Sequence, residues 1–473
     1  MLFNSIEFLL FLPTVFILYW FVFNKSLKIQ NLLILVSSYV FYGWWDYRFL
    51  SLIFLSTIVD YTIGLKIPKQ ESKKKQKSLL WLSIFFNLGV LGVFKYYNFF
   101  VDSWIDLFSL IGYEIKNLWV LNIILPVGIS FYTFQTMSYT IDIYKRKLEP
   151  TKDFISFASF VSFFPQLVAG PIERASNLLP QILKKREFKF EQGIQGLRLI
   201  LWGMFKKVVI ADSLAPMVNN IFENYQEFGG GTLWLGAIYF AFQIYCDFSG
   251  YSDIAIGTSK LFGFELISNF KFPYFSRNIG EFWRRWHISL STWFRDYLYI
   301  PLGGSKEGNF RSVRNIFIIF LISGFWHGAN WTFIFWGLFH AILFIPSFIF
   351  KTNRKYMTSI IGENKILPTP KEFLQAVITF LFVTIGWVFF RSETIGDSFS
   401  YLYCMIFEFG LPNAYRRGFF YIILLILIDY FIRRNEKLDF KFYKNLELLL
   451  MTLIILCIFW YYNKSSEFIY FRF

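Results

Sequence analysis

Long apolar stretches alternate with short polar loops along the whole chain. A membrane-spanning helix needs about 20 apolar residues, and the sequence offers a series of runs close to that length. These runs predict helices near residues 5–23, 30–45, 48–66, 78–98, 120–143, 192–212, 232–262, 314–331, 331–350, 370–391, 418–432 and 446–463. The pattern therefore predicts an all-α, polytopic membrane protein.

The apolar segment 153–172 differs from these runs because Pro165, Gly170 and Pro171 interrupt it. It is typical of a re-entrant hairpin, which is tolerated at membrane depth only where protein or water lines it. No internal repeat is visible, which argues against an inverted-repeat transporter. No long polar stretch separates the runs, so residues 1–473 are predicted to form one membrane domain. Its parts are N-terminal helices in 1–150, a central part with the re-entrant and amphipathic segments in 151–350, and C-terminal helices in 351–473.

Composition agrees with a membrane protein. The chain is 55% hydrophobic, 23% aromatic and only 17% charged, whereas soluble domains carry about 25% charged residues. The net charge of +15 does not indicate a nucleic-acid partner, because no basic stripe lies on a polar domain. The basic residues lie instead in short loops, where they orient a membrane protein. These loops are Lys25–Lys28, Lys66–Lys77, Lys145–Lys152, Arg174–Lys189, Lys351–Lys371 and Arg433–Lys444.

Charge in the first loops predicts the orientation. The loops at 24–29 and 66–77 hold eight Lys, while the turn at 46–48 holds one Arg. The positive-inside rule then places the first and third loops in the cytoplasm and the N-terminus outside. The segment Ile6 to Phe23 lacks a basic n-region and a small-residue cleavage site, so it is predicted to be a retained helix.

The sequence gives no sign of a metal site or a bound cofactor. Cys246, Cys404 and Cys457 lie far apart, without a CxxC pair or other ligand spacing. They are expected to be small buried apolar residues. Neither a metal nor a resident cofactor is therefore predicted.

An aromatic-rich segment lies between Pro273 and the turn at 301–304. At about 100° per residue, residues 281–297 form an amphipathic helix with one apolar and one polar face. The apolar face holds Phe282, Trp286, Leu290, Trp293 and Tyr297, and the polar side holds Glu281, Arg284, Arg285, His287, Ser289, Ser291, Thr292, Arg295 and Asp296. An interfacial helix and a polar helix that lines a solvated cavity both remain open.

The stretch SGFWHGANW, 323–331, carries His327 between two apolar runs. Gly324, Gly328 and Ala329 allow close approach of neighbouring backbones or of a substrate, and Asn330 is expected to orient the imidazole. His327 is either a packing histidine bonded across helices or a general base, since desolvation keeps its ring neutral. His340 lies further along without polar neighbours and is predicted to be a core histidine with satisfied hydrogen bonds.

Two polar clusters interrupt apolar surroundings. Carboxylates in a membrane segment are costly and face a cavity or pair with Arg or Lys. Structural pairing and a tunnel lining are both open for each cluster. The first cluster consists of Gln243, Asp247, Ser249, Tyr251 and Asp253, and the second of Gln166, Glu173 and Arg174.

Four stretches resemble the membrane-bound O-acyltransferase family. They are FPQLVAGPIER, YCDFSGYSDIAIG, EFWRRWHISLSTWFRDYLYIPLGG and SGFWHGANW. They are most similar to the bacterial branch with the alginate O-acetylation and peptidoglycan O-acetyltransferase proteins, and less similar to teichoic-acid D-alanyl transfer proteins. The resemblance covers nearly the whole chain, because LFNSIEFLLFLP and SYVFYGWWDYRFL near its start also match. Cys246 stands where aromatic residues are common in the family.

The resemblance implies a ring of about 11–13 transmembrane and re-entrant helices around a central tunnel, each span being about 20 residues long. It implies that His327 is the catalytic histidine and His287 the second histidine of the site. The residues expected to line the tunnel or bind substrate are Gln166, Gln243, Asp247, Ser249, Tyr251, Asp253, Arg284, Arg285, Ser291, Asp296, Trp326 and Asn330.

The implied activity is acetyl transfer from a cytoplasmic thioester, acetyl-CoA, through the bacterial inner membrane. The acceptor is an extracytoplasmic polysaccharide, and an extracytoplasmic serine hydrolase-like partner places the group on it. His327 would take the hydroxyl proton or be acylated itself, with His287 and Asn330 orienting or polarising. Arg284, Arg285 and the backbone near Gly328 would hold developing negative charge. A transporter and a non-catalytic scaffold for an extracytoplasmic transferase remain alternatives.

Overall fold

The computed structural model describes residues 1–113, 120–121, 123–363, 365–408, 410–434, 444–462 and 468–469. In these ranges the regular structure is helical, which confirms the all-α prediction. Contacts divide the chain into two compact units. Unit 1 is Met1–Gly193 with Thr258–Leu266, and unit 2 is Ile194–Gly257 with Ile267–Phe473. Residues 435–443 of the predicted basic loop Arg433–Lys444 lie outside the described ranges, as do residues 122 and 463 of two predicted spans.

Unit 1 contains α1 (Ile6–Ile17), α2 (Leu27–Asp46), α3 (Leu50–Lys66), α4 (Lys73–Leu91), α5 (Tyr97–Leu110), α6 (Ile129–Tyr144), α7 (Phe154–Ser162), α8 (Phe164–Leu167) and α9 (Ala175–Ile182). The first apolar runs predicted α1 to α4 and α6, the interrupted segment 153–172 covers α7 and α8, and α5 and α9 were not predicted. The π-helical turns Leu18–Val22 and Gly92–Tyr96 extend α1 and α4. The span predicted at 120–143 is wrong at its start. Its helix begins only at Ile129, after Gly128 with φ 75°.

The interruption predicted in 153–172 is present. Helix α7 ends at Ser162, Phe163 breaks the helix with ψ 104°, and α8 carries Pro165 in its first turn. Every residue from 156 to 173 is buried. Gly170 is required here, because a Cβ would lie 2.3 Å from the Cα of Gln166.

A buried polar network joins α3, α4 and α6 in unit 1. The Asp60 carboxylate accepts hydrogen bonds from Ser83 and from Asn87 Nδ2, the latter at 2.8 Å. Asn87 Oδ1 in turn accepts from Thr136 at 3.1 Å. Side-chain bonds of this kind hold helices together where hydrocarbon offers no hydrophobic drive.

Unit 2 contains α11 (Asp212–Glu223), α13 (Ile279–Arg285), α14 (Ile288–Phe294), α15 (Asn309–His327), α16 (Trp331–Ile349), α17 (Pro370–Arg391), α18 (Ile395–Phe407), α19 (Gly418–Ile432), α20 (Lys444–Tyr461) and most of α10 (Phe190–Met204) and α12 (Gly230–Leu261). The π-helical stretches Phe205–Ala211 and Arg295–Tyr299 extend α10 and α14. Helices α11 and α18 were not predicted, because both are too short to give a spanning pattern.

Four helical stretches of the described chain are long and apolar enough to cross a membrane. They are Leu27–Lys69, Lys73–Leu110, Trp331–Ile349 and Pro370–Arg391. Shorter apolar helices accompany them at Ile6–Val22, Phe154–Leu167, Gly418–Ile432 and Leu448–Tyr461. Large apolar side chains such as Leu9, Phe85 and Phe382 are exposed on these helices, as expected for surfaces that lipid solvates. The protein is a multi-pass membrane protein.

The continuous helix predicted over 281–297 is wrong. Helix α13 ends at Arg285, His287 has φ 43°, and α14 begins at Ile288. The backbone leaves the helical path after Arg285 because Lys271 N–H donates to Arg285 O at 3.0 Å and Ile288 N–H donates to Asn269 O at 2.9 Å. The apolar residues predicted for one face are nevertheless mostly buried, namely Phe282, Trp286, Leu290 and Trp293.

Helices α15 and α16 cross closely at two glycines. A Cβ at Gly324 would lie 2.2 Å from the carbonyl oxygen of Phe333, and one at Gly337 would lie 2.3 Å from that of Phe320. Only glycine permits this approach. The prediction that Gly324 lets backbones approach is therefore confirmed, and the crossing fixes the end of α15, where His327 lies.

Candidate functional site

His327 is the last residue of α15 and is buried. The chain then turns through Gly328, whose backbone is extended, and enters α16. Three aromatic rings surround the imidazole, with centroids 5.0 Å away for Trp326, 5.2 Å for Trp336 and 5.5 Å for Phe390. The ring therefore lies in a largely aromatic environment.

His287 lies between α13 and α14 with left-handed backbone dihedrals. Such a conformation is uncommon for a residue with a Cβ and persists only where its surroundings hold it. Its ring lies 4.7 Å from Phe248 and 5.9 Å from Trp326, measured between centroids. Burial lowers the pKa of His287 to about 3, so the imidazole is neutral at physiological pH.

Two polar side chains contact the Nδ1 atom of His287. Asn269 Oδ1 lies 3.1 Å from it and Ser289 Oγ lies 3.5 Å from it. Ser289 also bonds Asn269 through its hydroxyl, at 2.9 Å, and its backbone N–H, at 3.3 Å. The sequence pattern did not single out Asn269, because it lies in an irregular segment 18 residues before His287.

The structure brings the two histidines of the site together. The ring centroids of His287 and His327 are 6.3 Å apart. A direct N–H···N bond needs a nitrogen separation of about 3 Å, which this centroid distance does not allow. Trp326 contacts both imidazoles.

His340 is buried in α16, as predicted, but its hydrogen bonds are not satisfied. Its ring is packed by Trp336 at 4.9 Å, Trp283 at 5.0 Å and Phe282 at 6.3 Å. Neither ring nitrogen has a hydrogen-bond partner in the part of the chain that the structure describes. The prediction of satisfied hydrogen bonds is therefore wrong, and packing alone surrounds this ring.

The two arginines expected to hold negative charge are occupied elsewhere. Arg284 donates to the backbone carbonyls of Asn353 and Lys355. Arg285 pairs with Glu281 at 2.9 Å and donates to the carbonyl of Ser359. These arginines anchor the loop between α16 and α17.

Three further candidates also have local partners. The Asn330 side chain caps α16 by accepting from Thr332 N–H at 2.9 Å and donates to Glu393 O at 3.1 Å. It is therefore a helix cap, and the expectation that it orients His327 is not met. Ser291 Oγ donates to Trp286 O at 3.4 Å, and Asp296 pairs with the neighbouring Arg295 at 2.7 Å.

The carboxylates of α12 form ion pairs with two lysines that the sequence analysis did not single out. Lys207 Nζ lies 2.8 Å from both Asp212 and Asp247. Lys206 Nζ lies 2.6 Å from Asp253 and 2.8 Å from Ser249 Oγ. We call these residues, with Tyr251, the lysine–aspartate cluster. Structural pairing, one of the two predicted possibilities, is what the geometry supports. The sequence signal for this pairing was the presence of Lys206 and Lys207 inside the apolar run at 192–212.

Three candidates remain, namely Tyr251, Gln243 and Gln166. Tyr251 packs against Lys207, whose Nζ is 5.6 Å from the ring centroid. The side-chain oxygen of Gln243 is buried without a hydrogen-bond partner among the described residues. Gln166 is buried in α8 of unit 1.

No group of three or more His, Cys, Asp or Glu side chains capable of holding a metal occurs among the described residues. Cys246 is buried, whereas Cys404 and Cys457 are partly buried. The arrangement offers two imidazoles in an aromatic enclosure. This chemistry is suited to proton transfer at a hydroxyl.

Comparison with known proteins agrees with this chemistry. The sequence profile of the family described as MBOAT, membrane-bound O-acyltransferase, matches residues 48–359. The probable alginate O-acetylase of Azotobacter vinelandii is 42% identical over 87% of this chain and 79% of its own length. The peptidoglycan O-acetyltransferase of Helicobacter pylori is 36% identical over 86% of this chain and 80% of its own length. The teichoic acid D-alanyltransferase of Bacillus subtilis is 31% identical over 58% of this chain and 70% of its own length.

Proposed function

Because the chain belongs to the membrane-bound O-acyltransferase family, we propose that it moves an acetyl group across the membrane for O-acetylation of an extracytoplasmic polysaccharide. It is an O-acyltransferase. The proposed donor is a cytoplasmic thioester, acetyl-CoA. The names of its relatives support alginate-like exopolysaccharide or peptidoglycan as the polymer.

The pair of buried histidines in unit 2 carries this proposal. His287 and His327 lie 6.3 Å apart between ring centroids and share a wall formed by Trp326. Apolar enclosure keeps an imidazole neutral and therefore able to accept a proton near neutral pH. Phe390 and Trp336 complete the enclosure of His327, which favours acyl transfer to a hydroxyl over hydrolysis.

In the proposed reaction His327 takes the proton of the acceptor hydroxyl while the hydroxyl oxygen attacks the thioester carbonyl carbon. A C–O bond forms, the C–S bond breaks, and the thiolate leaves. The thiolate then takes the proton from His327, which yields a thiol, an acetyl ester and the neutral ring. General base catalysis contributes about 10²- to 10⁴-fold. In the alternative route, His327 itself carries the acyl group between donor and acceptor.

Developing negative charge on the carbonyl oxygen needs donors that are fixed in advance. Arg284 and Arg285 are not proposed for this role, because they hold the loop between α16 and α17. We assign the role to backbone N–H groups near Gly328, which immediately follows His327.

The proposed location is the bacterial inner membrane, with the N-terminus outside. The eight Lys of the loops at 24–29 and 66–77 support this orientation through the positive-inside rule. A cytoplasmic basic surface also suits a polyanionic donor such as acetyl-CoA. The proposed partner is an extracytoplasmic serine hydrolase-like protein that places the acetyl group on the polymer.

The proposal is tested with purified protein and radiolabelled acetyl-CoA, following thioester consumption and label retained on the chain. His327→Ala is expected to reduce the turnover of the folded protein by about 10²-fold or more, measured below the melting temperature of the variant, which the cavity left by the ring lowers. The matched control is His340→Leu, which changes a histidine with equal burial and is expected to keep turnover. Label on the wild-type chain would favour the acyl-histidine route.

Two results would contradict the proposal. Absence of turnover with the extracytoplasmic partner supplied would exclude acetyl-CoA as the donor. Normal polymer acetylation in cells that carry His327→Ala would support the non-catalytic scaffold instead.

A further inference from the structure

The strained backbone at His287 places a particular amide beside its ring. Segment 269–271 exchanges two backbone hydrogen bonds with segment 285–288, one on each side of His287. This pairing brings the side chain of Asn269, which is 1% exposed, to the Nδ1 edge of the imidazole. A left-handed φ at a residue with a Cβ is costly, so the structure maintains this placement against strain.

The orientation of the Asn269 amide is fixed by Ser289. The backbone N–H of Ser289 lies 3.3 Å from Asn269 Oδ1 and can only donate, so the atom facing it must be the carbonyl oxygen. The Ser289 hydroxyl donates to the same oxygen at 2.9 Å. Asn269 therefore presents an acceptor, and never its NH₂ group, to the His287 ring.

An acceptor opposite Nδ1 determines the tautomer of the ring. Since Asn269 Oδ1 lies 3.1 Å from His287 Nδ1, that nitrogen must carry the proton and donate. A neutral imidazole has one ring proton, so Nε2 carries a lone pair. Nε2 is buried, and it has no hydrogen-bond partner among the described residues.

We propose that Asn269 is a positioning residue that holds His287 in the Nδ1–H tautomer, so that His287 offers the active site a hydrogen-bond acceptor and no donor. The proposal rests on the proposed function. In this tautomer His287 cannot polarise the thioester carbonyl by donating to it. The negative end of its dipole instead stabilises the positive charge that His327 acquires when it takes the hydroxyl proton.

The tautomer is measured directly by NMR of the protein labelled with ¹⁵N-histidine, because the chain has only three histidines. The His287 signals are assigned by their loss in His287→Gln. The expected result is a protonated Nδ1 and an unprotonated Nε2. A protonated Nε2 in the wild-type protein would overturn the proposal. This measurement does not depend on the donor, so it distinguishes failure of the inference from failure of the proposed function.

The role in the reaction is measured by the pH dependence of kcat with Asn269→Asp. A carboxylate at this position would stabilise the His287 cation and raise its pKa, so Nε2 would become protonated as the pH falls. The expected result is an acid limb between about pH 5 and pH 8 that lies at higher pH than the limb that protonation of His327 gives the wild type, with activity retained at the alkaline end. Of the described side chains whose rings contact His287, only His327 titrates, and the others are Phe248, Phe270 and Trp326.

The Asn269→Ala variant tests whether Asn269 positions the His287 ring or only supports folding. It is expected to lower kcat by about 10- to 100-fold, as loss of a histidine's orienting partner usually does, with little change in KM. Ser289→Ala is the matched control, because it removes one bond to Asn269 and leaves the backbone N–H in place. Its expected loss is smaller. Identical pH profiles for Asn269→Asp and wild type would show a structural role only and contradict the proposal.

Discussion

The lysine–aspartate cluster and the histidine pair are both buried polar groups in unit 2, but they are built in opposite ways. In the cluster, Lys207 lies 2.8 Å from two carboxylates, and Lys206 contacts a third carboxylate and a hydroxyl. At the histidines, aromatic rings supply most of the contacts, and His287 Nε2 is not bonded within the described chain.

This difference distinguishes buried side chains that stabilise the fold from buried side chains that are available for a reaction. A buried charge without a partner costs several kcal/mol, so Lys207 must be paired for the protein to fold. A neutral imidazole costs far less to bury, which allows His287 to keep one nitrogen available for a substrate. Mutations in the cluster should therefore reduce stability, and mutations at the histidines should reduce activity.

The largest expected change in stability follows Lys207→Met, which leaves Asp212 and Asp247 buried without their cation. Breaking a buried pair from one side costs about 3–5 kcal/mol. We expect a large drop in melting temperature in detergent, with activity lost in proportion to the unfolded fraction. The measurement is thermal unfolding followed by the residual activity of the folded fraction.

The matched control for Lys207→Met is Arg311→Met. Arg311 pairs with Glu307 on the surface of the protein, with both side chains largely exposed, and such pairs contribute about 0–1 kcal/mol. Equal melting temperatures for the two variants would show that the cluster is not a structural element. The comparison with the histidines would then no longer hold.

A smaller effect is expected from Asn330→Ala. The side chain caps α16 by accepting from Thr332 N–H, and loss of such a cap costs about 1 kcal/mol. Turnover of the folded enzyme should remain, because Asn330 bonds the backbone and not His327. Thr394→Ala, which removes the cap of α18, should lower the melting temperature similarly. A loss of turnover as large as that of His327→Ala would instead support the role in orienting His327 that the sequence predicted.

The smallest effect is expected from His340→Leu. Neither ring nitrogen of His340 has a hydrogen-bond partner among the described residues, so an apolar side chain of similar size should change the stability by less than about 1 kcal/mol. His340→Ala should cost more, about 2–4 kcal/mol, because it leaves a cavity between Trp283 and Trp336. Melting temperatures and turnover of both variants check this. Lost turnover in a stable His340→Leu protein would place this third histidine in the reaction.

The pattern of apolar and polar residues along the chain was sufficient to predict most of the helices and to locate the two histidine motifs. Runs of apolar residues predicted most of the helices, because a membrane span imposes a length and a polarity on consecutive residues. Small residues around His327 predicted a close crossing, and the approach of α15 and α16 at Gly324 and Gly337 confirms it. The family resemblance identified His287 and His327 as the implied site, and the roles of both remain predictions.

The partners of the polar side chains were decided by the tertiary structure. Helical periodicity predicted one helix over 281–297, but backbone bonds from 269–271 end α13 at Arg285 and hold His287 in a left-handed conformation. The ammonium group of Lys207 reaches Asp247 on another helix, and no spacing along the chain encodes that distance. Sequence by itself determined which segments are helical and apolar, because that depends on neighbours along the chain. Hydrogen-bond and ion-pair partners depend on which segments meet in space, and only the folded structure decides that.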